Sequence, residues 1–74
     1  MWVEVILPVP VHSTFTYFWN ESLEPIPGLR VHVSFGRQNC LMGVIQKIQE
    51  NRPDFDCKPI LRVLDDYPRI QIQQ

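Results

Sequence analysis

Phe15, flanked by Thr14 and Thr16, carries the most chemistry in this sequence. A ring between two hydroxyls, set just after the rigid Pro8-Val9-Pro10 corner, is presented from a fixed backbone. An aromatic face stacks on any nucleobase without reading its identity, worth about 1–3 kcal/mol per base. A threonine hydroxyl can donate to or accept from a sugar hydroxyl. The same residues also read as an ordinary core aromatic between strand threonines. Gly36 ends the run Val31-His32-Val33-Ser34-Phe35-Gly36 and precedes Arg37. A glycine there turns the chain with positive φ and leaves backbone N–H and C=O groups open to a ligand. Arg37 and Lys58 are candidate phosphate contacts, or plain solvated cations at a turn and a loop end.

Other chemistry finds little support. Cys40, Cys57, His12 and His32 lack the short Cys–Cys or His–His spacing of a zinc site. His12 and Ser13 are neighbours, and on a strand neighbours face opposite ways, so they are not a base–nucleophile pair. No Gly-x-x-x-x-Gly-Lys-Ser/Thr loop is present, which argues against ATP hydrolysis by this chain. Asp65-Asp66 reads as a turn rather than a pair of metal ligands. No catalytic residue, metal ligand or cofactor is therefore expected here.

The elements that must hold these residues read as strands. Seven prolines in 74 residues leave little room for a long helix. Val3, Val5 and Leu7 alternate with Trp2, Glu4 and Ile6 in a first strand. Phe15, Tyr17 and Trp19 alternate with Thr16 and Phe18 in a second. A loop spans Asn20 to Gly28. The third strand, Leu29 to Phe35, turns Val31, Val33 and Phe35 inward and Arg30, His32 and Ser34 outward. After a turn at Gly36–Asn39, a fourth strand runs from about Leu41 to Gln49, with a bulge or bend expected at Gly43. A loop from Asn51 to Lys58 leads to a fifth strand, Ile60 to Leu64. Short strands with Gly/Pro turns predict an all-β fold, a small antiparallel barrel of about five strands, OB-like or SH3-like.

At this length, one domain buries only about 60% of its unfolded surface. The formal charge is −1, from seven Lys+Arg against eight Asp+Glu. That argues against a high-affinity duplex binder neutralising many phosphates but allows a grip on one or two nucleotides. No secretory leader is visible and no apolar run approaches the about 20 residues of a membrane span. A cytoplasmic setting with reduced cysteines and no membrane partner is expected. The ending after the fifth strand suggests a fragment of a larger protein, with a domain at 1–69 and a tail at 70–74.

Ordered along the chain, Leu7–Pro10, Phe15-Thr16-Tyr17, Gly28–Gly36, Gly43-Val44-Ile45 and Lys58–Asp65 closed by Pro68 resemble the N-terminal DNA-binding domain of the PriA family of replication-restart primosomal helicases. The resemblance runs from Trp2 to Pro68. It implies an OB-type barrel that caps the 3′ end of a nascent strand at a stalled fork. It also implies single-stranded or forked DNA and the remaining helicase domains as partners. ATP, magnesium and zinc would belong to the parent helicase alone. Carried over, the terminal-nucleotide pocket would use Phe15, Thr16, Gly36 and Lys58. The family's aspartate is Thr16 here; a hydroxyl accepts a hydrogen bond more weakly than a carboxylate and does not repel a 3′-phosphate. Two alternatives stand beside this reading. One is an SH3-like interaction module docking through Trp2, Phe18 and Trp19. The other is a structural appendage that orients a motor.

Overall fold

A computed structural model describes residues 1–65. The tail expected at 70–74 and the closure at Pro68 lie outside the described residues. Five antiparallel strands form one sheet: β1 (Trp2–Ile6), β2 (Phe15–Phe18), β3 (Arg30–Phe35), β4 (Gln38–Gln49) and β5 (Arg62–Val63), in the spatial order β2-β1-β4-β3-β5. The all-β reading and the β3–β4 hairpin hold. The hairpin loop is shorter than the sequence suggested. Phe35 pairs with Gln38, leaving a two-residue turn of Gly36 and Arg37. Gly36 has φ +56°, the left-handed first position of a primed turn, which matches the twist of the flanking strands.

The period-two alternation produces the core directly. Val3, Val5, Val31, Val33, Ile45 and Ile60 are at most 1% exposed, with Leu7, Tyr17, Trp19 and Leu29 around them. Each such side chain contributes about 1.5–3 kcal/mol by leaving water. Trp19 is 5% exposed and so offers no docking surface. Its indole N–H donates to the Leu23 carbonyl at 2.7 Å, which fastens the 20–28 loop over the core.

Gly43 is not a bulge. It pairs in register with Val31, and the ladder shifts elsewhere: between Glu4 and Val5 against β4, and between Val33 and Phe35. A Cβ on Gly43 would strike Val5 Cγ1, come within 2.7 Å of Leu7 Cδ2 and lie 2.9 Å from the Ile6 carbonyl oxygen. Its glycine lets the end of β1 cross tightly over β4.

Closure of the barrel falls to residues 58–65. Phe18 N–H donates to the Lys58 carbonyl at 2.9 Å, and Ile60 N–H donates to the Phe18 carbonyl at 3.1 Å. Immediately afterwards the chain changes neighbour. Leu61 N–H reaches the His32 carbonyl at 2.7 Å, and Leu64 N–H reaches the Arg30 carbonyl at 2.8 Å. One short segment thus joins both edges, β2 and β3. This corrects the expected fifth strand of Ile60 to Leu64. Pro59 has no N–H, Ile60 is committed to β2, and a two-residue ladder remains.

Asp65 locks the segment's end. Its Oδ2 accepts the Arg30 backbone N–H at 2.9 Å, while Oδ1 accepts Nε at 2.9 Å and Nη2 at 2.5 Å. The Arg30 hydrogen bonds, those of its guanidinium first and that of its backbone N–H second, hold the Asp65 carboxyl below its ordinary range. The turn-like acidic pair therefore begins with a structural clasp.

Candidate functional site

Where the closing segment passes from β2 to β3, the two strands stand apart and a pocket opens between them. In β3, the carbonyls of Arg30 and His32 point toward the closing segment. Ser34 comes next in that alternation, beyond the reach of β5. Its carbonyl instead accepts the Tyr17 hydroxyl at 2.7 Å. Tyr17 therefore spans the gap and forms its inner wall. Burial pushes the Tyr17 hydroxyl's pKa up, which keeps it a neutral donor.

The pocket measures about 240 Å³. That is below the roughly 300–1,000 Å³ typical of sites enclosing drug-sized ligands, so it suits one small planar group and its immediate attachment. Phe15 and Thr16 line the β2 side, Ser34, Phe35 and Gly36 the β3 side, and Phe55 to Lys58 the outer side. Phe15 is half-buried. Its ring meets Phe35 edge-on, with centroids 4.6 Å apart and planes at 66°. This pairing fixes the ring's orientation at the pocket while tying it to the core. The core and binding readings of Phe15 are thus compatible.

Four of the six residues singled out from sequence, Phe15, Thr16, Gly36 and Lys58, line this one pocket. Arg37 lies one residue beyond Gly36, exposed at the tip of the turn. Thr14 belongs elsewhere. It precedes β2, its hydroxyl donates to Glu4 Oε1 at 3.1 Å, and it lines a separate groove with His12 and Ser13. That hydrogen bond to a β1 carboxylate turns it away from Phe15's pocket.

Sequence reasoning missed Phe55 and Asp56, which lie in the 51–58 loop and line the same pocket. The signal was there: an aromatic between two acids, Asp54-Phe55-Asp56, has no strand to pack on. Asp56 opposes Lys58 as the carboxylate of the pocket lining. Cys57 lies between them. Burial, then the Asp56 charge, raises its thiol pKa, which keeps it protonated and a poor nucleophile. Cys40 and Cys57 are both free. Among the described residues no three of His, Cys, Asp and Glu converge as metal ligands, and no helix is long and apolar enough to cross a membrane.

A small OB-like barrel with an aromatic-walled pocket, an open glycine turn and a nearby ammonium defines a compact ligand-binding module. Its ligand is indicated by kinship: the model of the PriA 3′DNA-binding domain (3′BD) matches residues 4–74. The chain belongs to that family, and it is a DNA-binding module. The SH3-like interaction reading is not favoured.

Proposed function

We propose that this chain is the end-binding module of a replication-restart primosomal helicase, and that it holds the 3′-terminal nucleotide of a nascent strand at a stalled fork. The terminal base stacks near Phe15, and its edge meets backbone groups at Gly36. Lys58 takes the preceding phosphate, with Arg37 adding a cation from the turn. Thr16 offers a hydroxyl to the sugar. The observation carrying this reading is that Phe15, Thr16, Gly36 and Lys58, separated by up to 43 positions in the sequence, line one pocket of single-nucleotide size. Asp56 in the same lining bears on end chemistry, since a carboxylate accepts from a free hydroxyl and repels a phosphate. The low net charge fits a site of one to a few nucleotides. ATP-driven strand separation, with its magnesium and zinc, belongs to the parent's other domains in the cytoplasm, and this module itself uses no cofactor.

Fluorescence anisotropy at one fixed salt concentration tests the proposal. Three short single strands are compared: free 3′-hydroxyl, 3′-phosphate, and a 3′ end closed inside a hairpin. The accessible 3′-hydroxyl strand is expected to bind tightest, and Phe15→Ala to cost about 1–3 kcal/mol of binding. Equal affinity for the closed hairpin, or a folded Phe15→Ala variant that binds as well as the parent, refutes it.

A further inference from the structure

A second groove abuts the pocket and takes no part in holding the terminal nucleotide. It measures about 260 Å³ and is lined by Trp2, Phe18, Arg52, Phe55, Asp56 and Cys57. Three of these residues, Phe55, Asp56 and Cys57, line the first pocket as well. The loop that carries them is a partition with one cavity on each side.

The groove's chemistry resembles that of the pocket without repeating its residues. Trp2 and Phe18 are cross-strand partners on β1 and β2. Their rings meet edge-on at 6.0 Å and 64°. Pairing of that kind stabilises a sheet, which accounts for Trp2 and Phe18 on structural grounds alone. It does not account for Phe55, 62% exposed on a loop, nor for an arginine brought beside these rings. Exposed aromatics combined with a cation track single-stranded nucleic acid, the rings stacking on bases and the cation meeting the backbone.

Position supports the same occupant. Phe15 and Phe18 stand three residues apart on β2, about 10 Å along the strand and on its opposite faces, and Phe55 lines the cavity beside each. A strand whose last nucleotide occupies the pocket must leave it past one of the walls, and the Phe55 wall leads into a groove suited to the adjoining nucleotide. We infer that the Trp2–Phe18–Arg52–Phe55 groove is a second subsite, which receives the nucleotide immediately 5′ of the terminal one. Phe55 separates the two bases, and Arg52 takes the phosphate on the far side of the partition. This rests on the terminal-nucleotide reading of the first pocket.

The test is a titration monitored by amide NMR, using thymidine 5′-monophosphate and the di- and trinucleotides that share its free 3′ end. The parent chain is expected to gain about 5- to 150-fold in affinity from mono- to dinucleotide, the range of one base stacking on a ring. Phe18→Ala and Arg52→Gln, both at exposed positions that line the second groove and not the first pocket, are expected to erase most of that gain and leave mononucleotide binding intact. A parent chain with no gain in length, or variants that retain all of it, overturns the second subsite and leaves the first standing. Mononucleotide binding indifferent to Phe15→Ala overturns the first pocket and the subsite with it.

Discussion

Replacing Tyr17 with Phe removes one oxygen from the wall that the barrel's closure and its pocket share. Tyr17 is 4% exposed, and its hydroxyl makes a single 2.7 Å bond to the Ser34 carbonyl. A typical intramolecular hydrogen bond contributes about 0.5–1.5 kcal/mol net, and a buried acceptor left unpaired costs about 1–3. Ser34 is half-buried and borders a pocket open to solvent, so water can replace the lost donor. The lower range applies, and about 1 kcal/mol is expected. For a domain of this size that lowers Tm by about 4–8 °C. The substitution also changes the alkaline limb. Tyr17's folded pKa lies above its ordinary value of 10.0, so the folded state holds this proton more tightly. Its contribution is fully present below about pH 10 and is lost as pH rises through the folded value. The variant lacks that loss. Thermal melts of both proteins from pH 7 to pH 11 should therefore converge at the alkaline end. DNA affinity at pH 7 should fall less than in Phe15→Ala, because the ring remains. An unchanged Tm, or a gap that widens above pH 10, refutes the assignment of Tyr17 as the tie across the gap.

Gly43→Ala should destabilise the domain by about 1–3 kcal/mol through overpacking, since one of the atoms it meets is the Ile6 backbone oxygen and cannot rotate away; chemical denaturation reads this directly. Asp65→Asn should weaken the clasp at neutral pH. Because the Asp65 pKa is lowered in the fold, its stabilisation is present above the ordinary carboxylate value of 3.8 and is lost as pH falls through the folded value; the Tm gap between parent and variant should close in acid. Asp56→Asn should improve binding of 3′-phosphate strands about fivefold relative to 3′-hydroxyl strands, the roughly 1 kcal/mol of two charges 4 Å apart in water, as measured by competition anisotropy.

Alternation alone revealed the walls of this barrel. Val3, Val5, Val31 and Val33 sit inward because a two-residue period admits no other arrangement with one dry face. The closing segment was harder to read. Ile60, Leu61, Val63 and Leu64 look like one apolar strand, and no local pattern announces that Ile60 bonds to β2 while Leu61 bonds to β3. Gly43 was visible as special, but a close approach and a bulge leave the same mark on a sequence; the neighbouring strand decides between them. Phe15, Thr16, Gly36 and Lys58 were legible because chain corners and a resemblance singled them out. Phe55 and Asp56 were not, since loop side chains take their meaning from what they face. The setting of Thr14 was hidden for a related reason: its place beside Phe15 in sequence says nothing about Glu4 across the sheet.

The residues that shut the barrel are contiguous with Lys58 in the pocket lining. Bringing Asp65 to Arg30 joins positions 35 apart in the chain, and such distant pairings bear the largest loop-closure entropy. With just two residues in β5, this clasp is the economical place for the fold to come open. Binding site and fastening are then one cooperative unit. On the proposed reading, DNA that contacts Lys58 also holds the door, adding about 2.7 kcal/mol at a ligand concentration one hundred times Kd. The amides of Leu61 and Leu64, remote from any base, should exchange their hydrogens more slowly once the end is bound.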